Sequence, residues 1–149
     1  MTAVEPPVTT ARRQPLKPRP APGVRRFGYV VAATANALVL YLVNDRPGWD
    51  AVPFLTDDTT LVLGAVNASI AAGLVANLLY LLADPPRLRA LGDAVTTAVG
   101  LYAMVRVWQV FPFDVTDGWT TLLRVLLVVG IAGSGIALVS AFVRLATGR

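Results

Sequence analysis

Four long apolar windows alternate with short polar connections along the chain. Phe27–Asn44 and Thr59–Ala83 carry no charge, Ala94–Phe113 carries only Arg106, and Val125–Val143 carries none. Each is close to the roughly 17–25 residues that a helix needs to cross the hydrocarbon core of a bilayer. The polar punctuation marks their ends. Thr56, Asp57 and Asp58 read as an N-cap and two carboxylates that suit the dipole of a second helix. Asp84 reads as the cap of a third helix, with Pro85 at its first position. Pro112 closes that helix and Thr116-Asp117-Gly118 opens the fourth. The pattern predicts helices over about 27–44, 57–83, 85–111 and 117–146. Short second and third connections force antiparallel neighbours. The expected fold is therefore an all-α integral membrane protein, a four-transmembrane-helix up-down antiparallel bundle over residues 27–149.

Composition supports this class. Hydrophobic residues make up 55% of the 149 and charged residues 15%, whereas soluble domains carry about a quarter charged. The chain has no Cys and no His. That excludes thiol–disulfide exchange, Cys nucleophiles, His general bases, His-ligated haem and thiolate or imidazole metal sites. Ser69, Ser134 and Ser140 all fall in apolar windows, where serine packs helices. No phosphate loop, paired acidic metal motif or nucleophile–base set is present. No enzymatic activity, cofactor or metal is expected.

Charge distribution gives an orientation. Residues 1–26 hold Arg12, Arg13, Lys17, Arg19, Arg25 and Arg26 against Glu5 alone, together with six prolines. This stretch reads as a disordered basic tail, partly polyproline II. It lacks interleaved aromatics and adjoins a membrane span, so the expected partner is anionic lipid rather than nucleic acid. Ten of the 13 basic residues fall on the tail, the second connection and the C-terminus; Arg46, Arg106 and Arg124 fall towards the other side. The positive-inside rule then places both termini in the cytoplasm, as expected of a multi-pass plasma-membrane protein. Trp49, Trp108 and Trp119 lie towards the outer side, with Phe54, Phe111 and Phe113, as an interfacial aromatic belt does. The first window reads as a retained helix rather than a cleaved leader. It runs on to Asn44 without a small-x-small cleavage site.

Intramembrane polar groups are costly and demand partners. Folding each hairpin about its connection sets Asn36 level with Asn67, Asn77 with Asp93, and Arg106 with Arg124. Asn36, Asn67, Asn77 and Asp93 form one candidate polar network, read either as interhelical hydrogen bonds or as an ion or proton site at Asp93. Arg106 and Arg124 form a second candidate site in the outer leaflet, either paired with Asp57 and Asp58 or holding a lipid phosphate. Small residues recur at spacing four, as in Gly64, Ala68, Ala72 and Ala76, in Gly92, Thr96 and Gly100, and in Gly130 and Ser134. They allow the close backbone approach on which membrane helix packing rests. A surplus face of this kind suits a homo-oligomer or a larger membrane-protein partner.

Thr60-Leu61-Val62-Leu63-Gly64-Ala65-Val66-Asn67 resembles the Thr-Leu…Asn element of small fluoride channels. The Phe-rich break of their third helix is missing and the strong charge bias departs from theirs, so no residue role is carried over. Small multidrug carriers rely on a membrane Glu in the first helix, and this chain has none. The expected function is that of a non-catalytic accessory or assembly subunit acting through helix packing and its basic tail. The alternative is a small transporter or channel built on Asp93 or on Arg106 and Arg124.

Overall fold

The computed structural model describes residues 20–147. It is an all-α up-down bundle of four helices: α1 Pro22–Asn44, α2 Thr60–Leu82, α3 Pro86–Val110 and α4 Asp117–Thr147. All four are long and apolar enough to cross a membrane, and the chain is a multi-pass membrane protein. Residues 1–19 of the expected lipid-binding tail, 1–26, and the terminal Arg149 lie outside the described residues.

Helix boundaries differ from the sequence pattern in instructive ways. α1 begins at Pro22, inside the stretch read as tail. Proline presets the helical φ of a first turn and lacks only an N–H that would be unpaired there. α3 begins at Pro86, with Pro85 in extended conformation before it, and Asp84 does not cap it. Asp57–Thr59 form a short 3-10 turn leading into α2, and Thr56 supplies no side-chain cap. α3 ends at Phe111, whose φ of 47° is left-handed, an unusual conformation for a bulky residue.

Each helix packs chiefly on its sequence neighbours: α1 on α2, α2 on α3, and α3 on α4. The buried hydrophobic positions are mostly small, namely Ala33, Ala76, Ala94 and Ala103, beside Val62 and Tyr80. Large apolar side chains point outwards, with Phe27 at 70%, Leu82 at 84% and Ile136 at 72% exposure. Small inside and large outside is the arrangement expected where lipid solvates the exterior as well as the interior does. The small-residue stripes are used only in part. Gly92 lies against Tyr80, Gly73 against Asn36 and Gly130 against Met104, whereas nothing approaches Gly64 or Gly100.

The α1–α2 register departs from a symmetric fold-over. Asn44 pairs with Asn67, Asn36 lies beside Gly73, and the Tyr29 and Tyr80 rings meet at 5.4 Å. Asn67 is seven residues into α2, so α1 ends about 10 Å short of the level at which α2 starts, at 1.5 Å per residue. The connection refolds over the end of α1 instead of spanning evenly. Gly48 N–H donates to Leu42 O at 2.9 Å, and its φ of 90° makes this turn, with Asp50 crowding the place of any Cβ. Beyond it, Thr56 N–H donates to Pro112 O and Asp114 N–H to Phe54 O. These two bonds tie the first connection to the third.

Candidate functional site at the termini end of the bundle

The densest polar cluster forms where α1 and α3 begin and α2 ends. The two helix starts share a local pattern, Pro22-Gly23-Val24-Arg25 and Pro86-Arg87-Leu88-Arg89. In each, the arginine four positions into the helix turns towards Asp84 in the α2–α3 connection. Arg25 Nε lies 2.8 Å from Asp84 Oδ2 and Arg89 Nε 3.7 Å from Oδ1. The Tyr29 hydroxyl donates to Oδ1 at 3.1 Å. Burial acts most strongly on Asp84 and would raise its pKa. The Tyr29 hydroxyl and the two guanidiniums together outweigh it and hold the carboxyl below its ordinary range. Arg89 also lies over the Tyr29 ring, 5.9 Å from its centroid, within cation–π range.

Tyr80 is the keystone beneath this cluster. It is buried, and its hydroxyl points at both Arg89 O (3.1 Å) and Asp93 Oδ1 (3.0 Å). One hydroxyl has one proton, so the two acceptors share it in a three-centre bond. Room for the ring comes from Gly92, where a Cβ would overlap the Tyr80 hydroxyl and lie 2.8 Å from Cζ. The glycine therefore makes possible the approach by which Tyr80 of α2 reaches the carboxylate of Asp93 in α3.

The first candidate network is rearranged. Asn36 does not meet Asn67; its amide donates to Ala32 O, one turn back, at 2.9 Å. Asn67 instead forms a reciprocal amide pair with Asn44, at 2.6 and 3.0 Å. The physical reason is the inward offset of α1, which moves Gly73 opposite Asn36. Asn77 donates to Gly73 O on its own helix at 2.7 Å, and Asp93 accepts from Tyr80. The two stand at comparable heights, but helix rotation gives each another partner.

At the opposite end, Arg106 and Arg124 do not pair with Asp57 or Asp58. Among the described residues the ion pairs are those of Asp84. Arg106 donates to Leu61 O at 3.4 Å and to Gln109 Oε1 at 3.3 Å. Arg124 lies over two aromatic faces, 4.3 Å from the Phe111 centroid and 5.1 Å from that of Trp108. The left-handed turn at Phe111 sets its ring there, packed on Phe113 at 5.3 Å. Aromatic faces thus take the place expected of carboxylates.

Tyr29, Tyr80, Asp84, Arg25 and Arg89 are the residues missed by the sequence reading. The Pro-x-x-Arg repeated at two helix starts, the second directly after Asp84-Pro85, is the one signal in the sequence by which they could be found. Among the described residues no group of three or more carboxylates gathers as a metal site. What the cluster offers is a set of oriented cations around one carboxylate. No family model, curated protein or solved structure matches the chain, so its chemistry has to be read from these side chains themselves.

Proposed function

We propose that the chain is a non-catalytic accessory or assembly subunit of the membrane, acting through helix contact with another membrane protein, with both termini in the cytoplasm of a plasma-membrane protein. The observation that carries this reading is the Asn44–Asn67 pair. Asn44 is exposed and Asn67 half-buried, and both lie about 10 Å below the outer start of α2. Asn44 Nδ2 also donates to Leu40 O at 2.8 Å, and the amide valences left over on this exposed helix edge favour a protein surface over them. The pattern of packing agrees. α4 docks chiefly on α3, and among the described residues nothing lies within 4 Å of a Cβ position at Gly133 or Gly135. The ten-to-three division of basic residues supports the orientation.

The test places a photoreactive benzoylphenylalanine at Tyr41, an exposed aromatic one turn from Asn44. Irradiation in native membranes is expected to give a discrete protein adduct, with a second copy or a larger protein. That adduct should weaken in the Asn44→Leu/Asn67→Leu variant. Adducts with lipid alone refute the reading. The transport alternative makes a different demand: proton-coupled or anion flux in liposomes, abolished by Asp93→Asn or by Arg106→Leu with Arg124→Leu.

A further inference from the structure

The cluster around Asp84 carries more positive charge than its own carboxylate neutralises. Arg25, Arg26, Arg87 and Arg89 lie in the first turns of α1 and α3, and neither helix has an acidic residue in that turn. Cations at helix starts run against the dipole, so their placement asks for an anion beyond Asp84. The way the two inner arginines are held is more telling than their number. Both approach Asp84 through Nε, and both Nε atoms are shielded from solvent without an aligned hydrogen bond. No Nη of either arginine donates a hydrogen bond to the carboxylate among the described residues. Arg25 Nη1 reaches Pro20 O at 3.2 Å, and the Nη groups of Arg89 have no hydrogen-bond partner among the described residues. The Tyr29 ring restricts the Arg89 guanidinium. Both side chains stay reachable, at 23% and 39% exposure.

We infer that the junction of α1 and α3 is a phosphate-binding site, in which the Nη groups of Arg25 and Arg89 grip a phosphoryl oxygen pair while Asp84 and Tyr29 hold the two guanidiniums in place. Planar guanidinium forks match phosphate bidentately, and their orientation here is set before the ligand arrives. The site lies at the ends of two membrane spans, at the depth of lipid headgroups. A phospholipid phosphate and a soluble phosphate share the chemistry; position favours the lipid. This site is built into the helices, separate from any attraction of residues 1–19 to a charged surface.

The full chain, purified in neutral detergent, is titrated in native mass spectrometry with dioleoylphosphatidylglycerol. Dioleoylglycerol, which has the same tails and no phosphate, serves as control, and inorganic phosphate is titrated separately. The glycerophospholipid is expected to be retained over the control. Arg25→Lys/Arg89→Lys keeps the charge and removes the forks, and should weaken retention about tenfold, the scale of one charge-assisted hydrogen bond. Circular dichroism on the same sample checks that the variant is folded. If it is not, Arg89→Lys alone replaces it, with a few-fold loss expected. Arg-dependent binding of inorganic phosphate with no preference for the lipid supports the site and assigns it a soluble ligand. Equal retention of dioleoylglycerol, lysine variants that bind like wild type, or loss of binding on deleting residues 2–19 alone each overturns the proposal.

Discussion

Replacing Gly92 by alanine tests the packing that places Tyr80. The added Cβ would overlap the Tyr80 hydroxyl and lie 2.8 Å from Cζ and 3.0 Å from Cε1. Carbon contacts relax at about 3.5–4.0 Å, so the ring has to retreat by roughly 1 Å. Overpacking of this kind costs about 1–3 kcal/mol. The retreat also breaks the hydroxyl's shared bond to Arg89 O and Asp93, worth about 1 kcal/mol. Against this stands the helical preference for alanine over glycine, at most about 1 kcal/mol. The net expectation is a loss of about 1–3 kcal/mol, the overpacking range once the last two terms offset each other. Gly100→Ala is the internal control. Nothing lies within 4 Å of its Cβ position, so the change should be neutral or stabilising by up to about 1 kcal/mol. Equilibrium unfolding by SDS titration from a mild detergent, followed by circular dichroism, measures both. In a Tyr80→Phe background the closest contact is gone, so the cost of Gly92→Ala should fall without vanishing. If Gly92→Ala is as stable as Gly100→Ala, the close approach of Tyr80 is wrong and so is the keystone role.

Three further expectations are independent of that one. A double-mutant cycle on Asn44→Leu and Asn67→Leu should show coupling of about 0.6 kcal/mol, up to about 1.7, the range for interhelical hydrogen bonds in membranes; strict additivity refutes the amide pair. The Asp84 carboxyl titrates below its ordinary value of 3.8 in the folded state. Its contribution to stability is therefore complete above that value and lost as pH falls through the lowered folded one. Thermal midpoints followed downwards from about pH 5 should show a decline in this window that Asp84→Asn removes; an unchanged profile refutes the clamp. Single cysteines are specific reporters in a chain with none of its own. An impermeant maleimide should label Ala51→Cys in intact cells and spare Thr9→Cys, and the reverse pattern inverts the orientation.

The four spans were legible because charge is excluded from them so sharply, and length then does the rest. Heights along the α2–α3 hairpin were legible too, since a short connection leaves little freedom of register, and Tyr80 does meet the segment around Asp93. Register across the first hairpin was not. A connection of about a dozen residues can refold over one helix end, and the turn at Gly48 does so, which moved Asn36 from Asn67 to Gly73. Rotation about each axis was equally hidden. Almost every face of these helices is apolar, so no amphipathic stripe says which side faces inwards. That is why Asn77 and Asp93 bond elsewhere, to Gly73 O and the Tyr80 hydroxyl. The surroundings of Arg124 are hidden for a chemical reason: opposite charges along a sequence mark carboxylates as arginine partners, while here Phe111 and Trp108 supply negative π-faces. Asp84 looked like a helix cap because Asp-Pro usually is one, but the following Pro86 moved the helix start beyond its reach.

The inward offset of α1 has a mechanical consequence for the surrounding lipid. With α2 upright in the bilayer, the leaflet beside the C-terminal end of α1 borders a helix that stops about 10 Å short, and the polar segment Asp45–Asp50 fills the step. Acyl chains there must shorten or splay to keep their tails off charge, while those along the opposite leaflet need not. The deformation is one-sided and bends the monolayer locally. Mismatch costs fractions of a kcal/mol per ångström, so a step of this height stores on the order of a few kcal/mol in the lipid rather than in the protein. The lipid beside α1 therefore carries part of the energy of holding this helix short, and carries more of it as the bilayer thickens.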